Sequence, residues 1–153
     1  MITGQLGIIL EELSRALHIP NLHPDDHESC LLRLHNGLEI QIELDKMQNS
    51  LIIGINLGEI PLGRYREDLF ESALKINGES NKVGILAYST QRDNLVLFEM
   101  LPLKDLTGTH VADLITPLSE KALNWKQAIS SNQIPQSQNS SFSTRRGIFG
   151  LTP

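Results

Sequence analysis

The chain has 153 residues, 40% hydrophobic and 20% charged, with a net charge of −5 and a single cysteine. A chain of this length buries roughly 70% of the surface its unfolded form exposes, so one domain stands without a covalent staple. The acidic balance argues against a nucleic-acid partner, because phosphate binding is driven by Lys and Arg. One cysteine excludes an intrachain disulfide and fits a reducing compartment, no apolar run approaches the ~20 residues of a membrane helix, and the first residues lack the basic start of a secretory signal. The expectation is a cytoplasmic protein with no membrane span.

Gln5 to Leu17 sets Leu6, Ile9, Leu10, Leu13 and Leu17 at helical spacing, with Glu11, Glu12, Ser14 and Arg15 largely elsewhere on the wheel. This is an amphipathic helix whose stripe covers the sheet or in part meets another chain. Ile8 falls off the stripe and is expected at the surface, and Pro20 is expected to end the helix. The loop from His18 to Glu28 gathers His18, His23, His27, Asp25, Asp26 and Glu28, residue types that bind zinc and related metals. Pro20 and Pro24 break any regular ligand spacing, so a solvated loop is the plainer reading.

Ser29 to Leu57 is the organising stretch. Leu38, Ile40, Ile42 and Leu44 alternate with Glu39, Gln41 and Glu43, the signature of a strand with one dry and one wet face. Asn36-Gly37 separates this run from Cys30, Leu32 and Leu34 and predicts a two-residue hairpin turn. Cys30 reads as a small core hydrophobe. Leu51, Ile53, Ile55 and Leu57 form a third strand, with Ile52 on the opposite face and Gly54 as a sign of a bulge or a close backbone approach.

A second helix is expected from Arg64 to Asn77. Its wide apolar arc of Leu69, Phe70, Ala73, Leu74 and Ile76 suits two contacts, one with the sheet and one with a partner subunit. Asn77-Gly78 closes it, with Gly78 expected as a left-handed cap. Val83 to Ser89 and Leu95 to Leu101 are two more strands joined by a turn at Thr90 to Asn94, and the run Leu95-Val-Leu-Phe predicts burial on both faces. A last helix spans about Thr109 to Ser130. Pro117 either kinks it or starts a new helix with Thr116 as its cap. Ser131 to Pro153 is polar, aperiodic and expected to be loosely held, with an apolar end at Gly147-Ile-Phe-Gly-Leu. No glycine-rich phosphate loop, no nucleophile elbow and no recognisable catalytic pair occurs, so no residue carries an enzyme reading.

The fold class is thus α+β: an antiparallel sheet of about five strands with helices in the order α-β-β-β-α-β-β-α. That order resembles the class I chaperones of bacterial type III secretion, the CesT-type or Tir chaperone family. The resemblance covers roughly Leu6 to Ile129. It rests on Leu10-Glu-Glu-Leu-Ser-Arg-Ala-Leu-His-Ile-Pro, Ser29-Cys-Leu-Leu-Arg-Leu, Ile53-Gly-Ile-Asn-Leu-Gly-Glu-Ile-Pro, Leu101-Pro-Leu-Lys-Asp-Leu and the end of the last helix that bears Trp125. Pro117 and the extension after Ser131 depart from the family pattern.

The resemblance implies a cytoplasmic bacterial homodimer, without ATP or other cofactor, that keeps the N-terminal region of a secreted effector extended. It implies cargo contact at Leu6, Ile9, Leu10, Leu13 and Ile52. It implies a dimer seam at Leu69, Phe70, Ala73 and Leu74 with Val83, Ile85, Leu86 and Tyr88. The secretion ATPase or sorting components are further partners of the same reading. Two alternatives remain open: an adaptor that binds structural parts of the secretion apparatus, and a small metal-dependent enzyme built on the His18–Glu28 loop.

Overall fold

The computed structural model describes residues 4–136. Its elements run α1 (Gln5–Leu17), β1 (Ser29–Arg33), β2 (Glu39–Asp45), β3 (Ser50–Glu59), α2 (Arg64–Asn77), β4 (Ile85–Ser89), β5 (Asn94–Pro102) and α3 (Gly108–Ser130). The α+β order matches the expectation, and the five strands form one antiparallel sheet in the spatial order β1-β2-β3-β5-β4.

Alternation decides which side of the sheet is dry. Leu32, Ile40, Ile42, Leu51, Ile53 and Leu97 are fully buried and face the helical layer. α3 lies across β3, α1 packs on α3, and α2 sits beside β4. Trp125, 1% exposed, anchors α3 in this core. α1 meets α3 at very close range. A Cβ added to Gly108 would lie 2.4 Å from Glu12 Cβ and 2.5 Å from the Ile9 carbonyl oxygen. The Gly108 N–H, in the first turn of α3, donates to a Glu12 carboxylate oxygen at 2.6 Å. A carboxylate there satisfies an orphan donor and complements the positive end of the helix dipole.

Several local expectations are corrected. The β1–β2 hairpin is not a two-residue turn. Leu34 N–H donates to the Leu38 carbonyl and Gly37 N–H to the Leu34 carbonyl, which closes a three-residue loop, His35 to Gly37. Only Gly37 takes positive φ, at 88°. A turn followed by a left-handed glycine is the next most common hairpin solution, and it leaves Asn36 free to accept from Leu38 N–H. The bulge in β3 lies at Asn56–Gly58 and not at Gly54, and Gly58 N–H donates to the Asn56 side chain at 2.9 Å.

α1 ends at Leu17, before Pro20 can act. His18 adopts a left-handed cap and its N–H turns back to the Ser14 carbonyl. Gly78, by contrast, is right-handed, at φ −81°. β4 begins at Ile85 and not at Val83, because Gly84 sits at φ 70° with the Leu97 and Leu118 side chains against it. α3 is one continuous helix with Pro117 inside, capped by Thr107, whose hydroxyl accepts from His110 N–H. Its length comes from the apolar face around Val111, Ile115, Leu118, Ala122 and Trp125, whose burial outweighs the one backbone hydrogen bond that proline removes.

The residues after α3 are held where they are described. Pro135 is buried, and its carbonyl accepts from the Ser72 hydroxyl. The Tyr65 hydroxyl bonds the carbonyls of Ala128 and Gln133, the latter at 2.8 Å. The first part of the expected loose tail is therefore strapped to α2. The apolar end at Gly147–Leu151 lies outside the described residues.

Candidate functional site: the uncovered face of the sheet

The strands bury one set of side chains and turn the other set outward. Strand register joins the outward set into rows. One row runs Leu31, Gln41, Gly54, Phe98, Ile85; the next runs Ser29, Glu43, Ile52, Met100. No helix of the described residues covers these rows. They line an open groove of about 430 Å³ that includes Leu31, Gln41, Glu43, Ile52, Gly54, Val96 and Phe98. Val96 and Phe98 are half-buried. The expectation that β5 is covered on both faces therefore fails for the single chain, and the surplus apolar face of β5 becomes the floor of the groove.

Gly54 shapes this floor. Nothing lies within 4 Å of where its Cβ would be, so it makes no close approach and leaves a bare notch facing Phe98 in the register. The rim is polar. Arg33 and Glu39 form an exposed ion pair at 2.6 Å, and the Gln41 amide donates to Glu43 at 2.5 Å. An apolar floor with a polar rim suits a partner that brings its own side chains and retains a wet margin.

The two sheet edges differ. On β4, the Asn77 side chain accepts from Leu86 N–H at 2.9 Å and donates to the Leu86 carbonyl at 2.8 Å, so an amide from α2 plugs that edge. On β1, the Asp25 loop bonds both backbone groups of Ser29: its carboxylate accepts from Ser29 N–H and its own N–H donates to the Ser29 carbonyl. Leu31 and Arg33 follow Ser29 at the same parity, so their backbone N–H and C=O groups also point away from β2. They form an open edge beside the groove. Sequence reasoning did not find this edge or Leu31, which is 56% exposed.

The expected site residues separate into two groups. Leu6, Ile9, Leu10 and Leu13, expected to contact cargo, are buried in this chain's own core. Helical apolar stripes are core by default, and here α3 covers this one. Ile8 is the exposed apolar residue of α1, as its off-stripe position predicts. Ile52 lies on the groove floor.

Among the seam candidates, Leu69, Ala73 and Leu86 are buried within the chain. Leu74 is 71% exposed, and Phe70, Val83, Ile85 and Tyr88 are accessible to varying degrees. The Phe70 and Tyr88 rings touch with centroids 5.2 Å apart. Arg66 fixes this corner: it lies over the Tyr88 ring, bonds the Tyr88 hydroxyl at 3.2 Å and reaches Asp93 at 3.8 Å.

In the His18–Glu28 loop the Asp25 carboxylate is engaged by the N–H groups of His27 and Ser29. Among the described residues no group of three or more His, Cys, Asp or Glu is arranged to hold a metal ion. Cys30 is buried, and burial, opposed by a hydrogen bond with the His23 backbone, pushes its thiol above the ordinary value. Such a thiol is a poor nucleophile. No helix of the described residues is long and apolar enough to cross a membrane.

Residues 8–126 match the Tir chaperone protein (CesT) family. The chain belongs to that family. No curated protein matches it. Its fold is similar to several solved structures. The HopA1–SchA chaperone–effector complex aligns with a TM-score of 0.65 at 21% identity, covering 78% of this chain and 91% of that one. The Yersinia pestis type III secretion chaperone SycH, solved with a stable fragment of YscM2, gives 0.61 at 20%, covering 76% and 96%. The ExoT–SpcS complex from Pseudomonas aeruginosa gives 0.58 at 16%, covering 76% and 93%. At these identities the likeness speaks for the fold, and the family match places the chain.

Proposed function

We propose that this protein is a cytoplasmic chaperone that holds the N-terminal region of one or more type III secretion effectors in an extended, secretion-competent form. The observation that carries the reading is the uncovered apolar groove floored by Ile52, Val96 and Phe98, set beside an open strand edge at Leu31 and Arg33, in a chain of the CesT family. An extended segment offers main-chain groups to such an edge and alternate side chains to such a floor, which is β-augmentation. Holding of this kind takes its free energy from burial and pairing, so it calls for neither ATP nor a reacting group. The likeness of the fold to the HopA1–SchA chaperone–effector complex supports the reading.

The protein works as a homodimer in this proposal. Its seam is the accessible part of α2 and β4: Phe70 and Leu74 with Val83, Ile85 and Tyr88. Leu69, Ala73 and Leu86 support that surface from beneath. The secretion ATPase or sorting components would receive the loaded complex.

Co-expression with candidate effectors of the native host tests the cargo face. Ile52→Glu places an uncompensated charge on the groove floor and is expected to abolish effector retention while circular dichroism stays unchanged. Undiminished retention by Ile52→Glu and Phe98→Glu would remove the groove from the proposal. Leu74→Glu is expected to shift light-scattering mass from dimer toward monomer, and a wild-type monomer would remove the seam.

A further inference from the structure

The open edge of β1 is short, and the fold sets its length. Leu31 and Arg33 turn their backbone N–H and C=O groups outward, while Leu32 and Leu34 turn theirs toward β2. At one end the Asp25 loop already holds both backbone groups of Ser29. At the other end Leu34 N–H is bonded to the Leu38 carbonyl, and the chain enters the hairpin loop. Only the donor and acceptor of Leu31 and of Arg33 are left for an incoming strand, so the ladder is brief and its register is fixed.

The two side chains at this edge differ in kind. Leu31 is apolar and begins the row that runs to Gly54 and Phe98. Arg33 begins the row that continues with Glu39, and its side chain is 71% exposed. The bond to Glu39 is made by Nη2. A guanidinium is a planar fork of donors, so a second carboxylate can engage it from the other side. No described strand lies on that side. A carboxylate carried there by an incoming strand stands one strand spacing from Arg33, about 5 Å, and two spacings from Glu39, about 10 Å. Attraction to the near guanidinium therefore outweighs repulsion by the far carboxylate. An ammonium in the same place would oppose Arg33 directly, and like charges directly opposite destabilise a strand pair. Glu43 belongs to the Ser29 row, which the Asp25 loop closes. Every pairing in this sheet is antiparallel, and antiparallel ladders are the more stable per residue. In that direction the residue facing Arg33 precedes the residue facing Leu31.

We propose that the β1 edge selects a strand carrying an acidic residue followed two positions later by an apolar one, the acid against Arg33 and the apolar side chain against Leu31. The selection rests on the cargo reading above and names the part of an effector segment that the edge accepts. The residue between the two turns to the other face of the sheet.

The test uses the full chain and two end-capped peptides, Ser-Thr-Gln-Glu-Thr-Val-Thr-Gln-Ser and the same sequence with Lys in place of Glu. Each is titrated to millimolar concentration while amide shifts and exchange are read by NMR. The Glu peptide is expected to bind about three- to tenfold more tightly than the Lys peptide. Exchange at the Leu31 and Arg33 N–H groups should slow, and that of Ser29, already bonded to Asp25, should not change. The paired swap Arg33→Glu with Glu39→Arg keeps the ion pair and inverts the charge at the edge, so it should reverse the preference. Equal affinities, a preference that survives the swap, or no binding of either peptide would overturn the selection. If the peptides bind alike while Ile52→Glu still abolishes effector retention, the edge selection fails and the cargo face stands. If the peptides are discriminated but retention ignores Ile52→Glu and Phe98→Glu, the edge selection stands and the groove falls.

Discussion

On its inner side β3 carries Leu51, Ile53, Ile55 and Leu57, all at most 2% exposed; on its outer side the same strand carries Ile52 and Gly54. The inner residues have α3 above them, and the outer ones have no described helix. The outer face mixes Ile52, Val96 and Phe98 with Gln41, Glu43 and Asn56, and among the described residues only the inner face has a helical cover. Exposed apolar patches mark interaction sites in general. The contrast is between a covered side and an open one, and mutations can probe it.

The largest effect is expected on the covered side. Trp125→Ala removes the largest buried side chain of α3 and should cost about 3–5 kcal/mol in urea unfolding, enough to leave the chain partly unfolded. Gly108→Ala comes next. Its methyl would have to enter the space of the Glu12 Cβ and the α1 backbone, so α1 must shift from α3, at about 1–3 kcal/mol or more. A neutral Gly108→Ala would mean that α1 is less tightly seated than its distances indicate.

On the open side the order reverses. Ile52→Glu should change monomer stability by no more than about 0.5 kcal/mol, although it removes effector retention. A large stability loss there would show that the outer face is internally used.

The smallest effect is electrostatic. Lys121 donates to the Val83 carbonyl at 2.8 Å, and burial holds its pKa below the ordinary 10.5, with Glu79 and Glu99 opposing. The unfolded chain therefore keeps this proton to higher pH than the folded one. The group's contribution to stability is complete above about pH 10.5, and it is lost as pH falls through the folded value. The difference in stability between wild type and Lys121→Met should shift in favour of wild type as pH rises through that window. A difference flat with pH would place Lys121 in water.

Local pattern alone determined much of this protein. Period-two alternation in β2 and β3, the helical stripes of α1 and α3, and the order of elements were legible because each follows from nearest-neighbour geometry along the chain. Ile52 was singled out for the same reason, since it breaks the alternation.

Only the tertiary structure decided what each apolar face meets. The stripe of Leu6, Ile9, Leu10 and Leu13 could cover the sheet or meet another chain, and it is buried within this chain; Val96 and Phe98 were expected under cover and are half-buried on the open face. The open edge at Leu31 and Arg33, the Asn77 plug on β4 and the fit of Gly108 against α1 depend on residues far apart in sequence. A side chain's character says that it will seek a dry contact. Which contact it finds depends on how many elements compete to cover the same sheet, and that is settled only when all of them are in place.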